Sequence, residues 1–166
     1  MTTLETVAGL LNVNPSWLWA LIQFESGGNP AARNPISGAR GLIQFMHSTA
    51  RAMGFKDADD LVNQYPTFDS QLTTPVYNYL KQWAPFPTKQ SLYMSVFYPV
   101  ARTWAPDTVF PDAVRKANPK IDTVQDYINF VEKTPTKKKI EIAGITVFAA
   151  AAITTLFMAL TQKGKK

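Results

Sequence analysis

The chain has 166 residues, no cysteine, 46% hydrophobic residues and a formal net charge of +5. That length suits one domain with at most an appendage and excludes a large multidomain enzyme, while four Trp, ten Phe and six Tyr exclude a disordered chain. Lack of cysteine removes disulfides, thiolate zinc sites and cysteine nucleophiles, and a pI near 9.5 raises nucleic acid or an anionic membrane as a partner.

In chain order the pattern is mainly helical. Thr2 and Glu5 have the spacing of a capping box, with Leu4, Val7, Leu10 and Leu11 as an apolar stripe, so the N-terminus reads as a helix and not as a cleavable secretion signal. Asn14 followed by Pro15 starts a second helix, which Gly27-Gly28 ends. Residues 29–44 are rich in Gly, Pro, Asn and Arg and predict loops or a short hairpin. Further helices are predicted over Ser48–Met53, Asp57–Asn63, Ser70–Trp83, Lys89–Val100 and Asp122–Lys133. Little period-two alternation is present, so any sheet is small.

The last 33 residues differ. Residues 134–141 form a basic linker with Lys137, Lys138 and Lys139, residues 142–161 are twenty apolar or small residues without a charge, and 162–166 are a basic tail. Twenty helical residues rise about 30 Å, the thickness of a bilayer's hydrocarbon core, so 142–161 is predicted to be a transmembrane helix. Ala151, Thr155 and Ala159 make a small-residue stripe suited to self-association in lipid. Residues 1–136 hold eleven basic and eleven acidic residues, so the whole +5 belongs to this tail. The charge therefore flanks a membrane and argues against nucleic acid as a partner.

Glu25 is the candidate for chemistry. With Leu18, Leu21 and Ile22 it falls at i, i+3, i+4 and i+7, continuing the apolar stripe of the second helix. It also sits in the last turn, where the helix dipole disfavours a negative charge. Both effects raise its pKa, as a general acid requires. Rotation of Glu25 out to solvent at a frayed helix end is the competing reading of the same pattern. The next acidic residue is Asp57, although Asp57, Asp59, Asp60 or Asp69 can still fold into a cleft beside Glu25. His47, the single histidine, has no His/Asp/Glu neighbours in sequence with metal-ligand spacing. No metal or cofactor is expected.

The motifs Glu25-Ser26-Gly27-Gly28-Asn29-Pro30, Gly38-Ala39-Arg40-Gly41-Leu42-Ile43-Gln44-Phe45-Met46 and Thr49-Ala50 resemble those of lytic transglycosylases related to goose-type lysozyme. The family's Gly-Leu-Met-Gln loop reads Gly-Leu-Ile-Gln here. Its later Ala-Tyr-Asn motif is weaker: Tyr98 takes the Tyr position and Pro99 replaces Asn. The resemblance is strongest over residues 12–54 and extends in character to about 133.

It implies a lysozyme-like α+β domain, mainly α with a small or absent sheet, over residues 1–133. It also implies cleavage of the β-1,4 bond between N-acetylmuramic acid and N-acetylglucosamine in peptidoglycan, with Glu25 as the single acid/base. Ser26, Gly41, Gln44, Phe45 and Tyr98 would be substrate-binding: Ser26 and Gln44 by hydrogen bonds to Glu25 or to acetamido groups, Gly41 by letting the loop approach the sugar. Phe45 reads more readily as a core residue, and Tyr98 equally as an ordinary buried tyrosine. A hydrolytic muramidase or an inactive glycan-binding membrane protein are the alternatives. An enzyme domain without a signal, placed before its only span, suggests carriage in the membrane of a bacteriophage virion, with a host cell membrane as the alternative location.

Overall fold

Helix α1, Thr3–Leu10, starts with Thr2 and Glu5 bonded reciprocally in the expected capping box. Helix α2, Pro15–Ser26, is capped by the Asn14 side chain and stopped by Gly27, whose φ of 63° is a left-handed cap that favours glycine. The computed structural model describes residues 1–134. It continues with α3 (His47–Ala52), α4 (Ala58–Gln64), α5 (Phe68–Gln71), a π-helical turn (Leu72–Val76) and α6 (Tyr77–Lys81). Then come α7 (Lys89–Phe97), a 3-10 turn (Pro99–Thr103), α8 (Asp112–Ala117) and α9 (Val124–Lys133).

Two predicted helices are shorter than their patterns. Pro75 lacks an amide hydrogen and lies inside Ser70–Trp83, which is divided into α5, the π turn and α6. Pro99 ends the helix from Lys89 at Phe97, three residues before Val100. Helix α8 has no counterpart in the sequence reading. Strand pairing among the described residues is limited to isolated bridges, Arg33 with Arg40, Arg40 with Phe45, and Val109 with Thr123. The domain is therefore mainly helical with no sheet, as a lysozyme-like fold allows.

Helix α2 is the axis of the core. Leu18, Leu21 and Ile22 are fully buried, and α2 packs against α1, α7 and α9. Each such side chain contributes about 1.5–3 kcal/mol by burial. Helix α9 buries Val124, Tyr127, Ile128 and Val131 at i, i+3, i+4 and i+7. Tyr127 stacks on Phe97 of α7 at 4.1 Å between ring centroids and meets Phe24 edge-on at 5.4 Å. Packed residues of α2, α7 and α9 thus converge on the end of α2 that carries Glu25. Among the described residues no helix is long and apolar enough to cross a membrane. The span expected over 142–161, its basic tail and all but the first residue of the linker lie outside the described residues.

Candidate active site

Glu25 stays with the apolar stripe rather than turning out to solvent. It is half-buried, and its Oε1 accepts a hydrogen bond of 2.7 Å from the Tyr127 hydroxyl. Burial pushes the carboxyl up from 4.5 to about 7, and the Tyr127 bond opposes that rise by favouring the charged form. Tyr127 is itself fully buried, and burial followed by the nearby carboxylate's charge holds its own pKa well above the usual 10. It therefore acts as a fixed donor over the whole neutral range. Tyr79 stands close enough to Glu25 for its hydroxyl to be affected by the carboxylate's charge; burial is the main cause that pushes it up to about 12. Its hydroxyl donates to the Ser95 carbonyl at 2.8 Å.

The loop after α2 is held by buried polar contacts. The Gln71 side chain, fully buried, accepts from the Leu42 amide at 3.0 Å and donates to the Pro30 carbonyl at 2.7 Å. Gly41 sits against that brace with φ 77°, and a Cβ there would come within 2.6 Å of Gln71 Oε1. Its lack of a side chain thus serves an approach between loop and brace, where the sequence suggested an approach to sugar.

The remaining expected site residues have these positions. Ser26 Oγ lies 2.9 Å from the Leu42 carbonyl and 3.1 Å from the Ile22 carbonyl, so its single proton ties α2 to the loop and is not given to Glu25. Gln44 has φ 53°, a strained conformation for a residue with a side chain, and its amide donates to the Gly41 carbonyl at 3.0 Å. Phe45 is 2% exposed and packs edge-on against Tyr79, which makes it a core residue instead of a cleft lining. Tyr98 is buried against Trp104 and Phe110. Trp19 and Phe68 line a separate groove of about 700 Å³ beside Pro15, at the N-terminal end of α2.

Three of the four distant aspartates are occupied elsewhere, and Asp69 lies on α5 beside the groove lined by Trp19 and Phe68. Asp57 caps α4, Asp59 pairs with Arg40 at 3.1 Å, and Asp60 accepts from the Lys56 amide and the Gln64 side chain. The fold corrects one expectation about His47: Asp57 and Asp59 are brought beside it, with candidate ligand atoms all within 4.8 Å of one another. Its Nδ1 accepts from the Ala58 amide at 3.2 Å, so that nitrogen is already used in holding α4.

These features give a protonatable carboxyl at a helix end, a buried phenol fixed on it, and a braced Gly-Leu-Ile-Gln loop alongside. Residues 6–78 match the Transglycosylase SLT domain. The match supports a place for the chain in the lytic transglycosylase superfamily and the general enzyme class of that domain. No solved structure matches the chain. The SLT stretch runs from within α1 into α6 and includes Glu25, Ser26, Gly41, Gln44 and Phe45. Tyr98 and Tyr127 lie beyond it. Tyr127 and Gln71 escaped the sequence reading. The stripe of α9 signals that Tyr127 is buried, but nothing local names a partner 102 residues earlier.

Proposed function

We propose that this chain is a peptidoglycan lytic transglycosylase that cleaves the bond between N-acetylmuramic acid and N-acetylglucosamine, with Glu25 as its one acid/base. The observation that carries this reading is the Glu25 carboxyl, raised to about 7 by burial and fixed by Tyr127. Such a group is protonated in mildly acidic to neutral solution and can give its proton to the glycosidic oxygen as the bond to the muramyl C1 breaks. Its carboxylate then takes the proton from the muramyl C6 hydroxyl, whose oxygen bonds to C1 and closes a 1,6-anhydro ring. One proton enters and one leaves, and no water is consumed. No other carboxylate is among the groups that shift Glu25, which fits a single-carboxylate scheme better than the paired one of ordinary glycosidases.

Gln44, at the loop's strained position, is the proposed contact to an acetamido group, while Ser26 and Gly41 act by holding the loop. Mass spectrometry of murein digests decides the chemistry: anhydromuramic ends support it, and reducing ends would establish a muramidase instead. The charge-free residues 142–161 support a further proposal, that the domain is anchored in a membrane, that of a bacteriophage particle, and self-associates through the span. Detection of the protein in purified, protease-treated particles tests the location. Its presence only in host membranes would refute it.

A further inference from the structure

Arg102 packs on Trp83, the neighbour of Tyr79, and the acid's chemistry leaves it unused. It belongs to the 3-10 turn Pro99–Thr103 and is half-buried. Its Nε donates to the Pro99 carbonyl at 3.1 Å, and its Nη1 donates to the Trp83 carbonyl at 2.6 Å. The guanidinium also lies over the Trp83 ring, 4.9 Å from its centroid. A guanidinium has five N–H donors in a rigid plane, so two bonds and one stacking contact fix the directions of the remaining donors. Arg40, Lys89 and Arg115 each pair with a carboxylate, whereas among the described residues none pairs with Arg102. A partly desolvated, immobilised cation without an anion has lost hydration and rotamer freedom and gained no charge partner. Those are the properties of a preformed anion receptor.

Its position relates it to Glu25. Trp83 packs on Tyr79 at 6.4 Å between centroids, and Tyr79 is the side chain whose hydroxyl is affected by both charges, Glu25 in one direction and Arg102 in the other. Arg102 is therefore joined to Tyr79 through the Trp83 ring, and Tyr79 is the side chain that feels both the acid and the guanidinium. The domain itself has no net charge, so attraction for an anionic polymer has to come from a local cation of this kind.

We propose that Arg102 is a specificity residue that binds a carboxylate carried by the glycan strand, on a peptide arm or on the lactyl group of a peptide-free muramic acid. The proposal rests on the peptidoglycan reading above. A charge-assisted hydrogen bond of this type contributes about 1.5–3 kcal/mol, which corresponds to at least about tenfold in affinity.

Kinetics of the full chain on four substrates test it: murein with its peptide carboxylates free or converted to amides, and peptide-free glycan strands with lactyl carboxylates free or amidated. In one of the two pairs, amidation should raise the wild-type apparent KM about tenfold and leave kcat within about twofold. The pair that responds identifies the source of the carboxylate. Arg102→Gln should show the raised KM on the free acid and no further effect of amidation, and Arg102→Lys should recover part of the difference. An unchanged wild-type KM in both pairs overturns the inference without reliance on any variant's folding. So does an Arg102→Gln enzyme as sensitive to amidation as the wild type. A wild-type chain that cleaves none of the four overturns the peptidoglycan reading, and this inference with it.

Discussion

The Glu25 carboxyl is the residue on which rate and stability pull in opposite directions. Glu25→Gln keeps the shape and removes the transferable proton, so turnover on murein should fall roughly 10²–10⁴-fold. Because the folded pKa is raised from 4.5 to about 7, the wild type keeps its full stability below pH 4.5 and loses part of it as pH rises through 7. Glutamine does not titrate there. The variant should therefore be more stable than the wild type above pH 7, by about 1–3 kcal/mol once the half-exposed edge is allowed for, and show little advantage at pH 4. Thermal melts at the two pH values check this. Tyr127→Phe keeps the stack on Phe97 and removes the hydroxyl bond that lowers the Glu25 pKa. The basic limb of the pH–rate profile should then move upward from 7, with kcat reduced because the carboxyl is no longer held. A profile that stays in place would show that the phenol does not tune the acid. The sequence exposed the candidate acid through the stripe of α2, but not its partner, since a helical stripe identifies a buried face and leaves the opposite surface unspecified.

At the scale of elements, legibility followed the locality of the signal. Thr2 with Glu5, Asn14 with Pro15, and Gly27 fix helix ends through contacts within a few residues, and all three were readable. Helix α8 follows Pro111 without a capping side chain and buries a single residue, Val114, so it has neither a start signal nor a stripe. Its neighbours supply what its sequence lacks. Pro75 is visible as a residue, but the pattern over Ser70–Trp83 is continuous, because α5 and α6 keep one apolar face across the π turn with Leu72, Val76 and Leu80 all buried. The Gly-Leu-Ile-Gln loop was legible as a motif and illegible as a structure: its brace, Gln71, is 29 residues away from the Leu42 amide it holds. Gly41→Ala forces a Cβ against that brace at a positive φ. We expect a loss of about 1–3 kcal/mol in denaturant unfolding, with activity reduced further than stability explains. A variant as stable and active as the wild type would remove the brace from the account of the site.

The described residues close around contacts between early and late helices, α2 with α7 and α9. Helix α2, with Leu18, Leu21 and Ile22 buried, packs against α7 and α9 as well as α1, and the SLT match stops at residue 78, before α7 and α9. A chain ending at residue 82 would leave that face of α2 open and lose the Tyr127 bond, so it should show no cooperative thermal transition and no murein cleavage. A chain ending at residue 134 keeps every described helix and should melt in one transition, as circular dichroism can report. A short chain that melts cooperatively would mean that the core is less shared than the burial of these residues implies.

The placement of Glu25 in the last turn of α2 also decides what can obstruct it. A sugar mimic with a protonated ring nitrogen needs a carboxylate to pair with, and this carboxyl remains largely neutral until the pH approaches 7. The affinity for such a cation should rise about tenfold per pH unit below that point and level off above it, as an inhibition constant measured across pH can check. In acidic surroundings, where the proton is ready for the glycosidic oxygen, the enzyme is least vulnerable to its most obvious class of inhibitor.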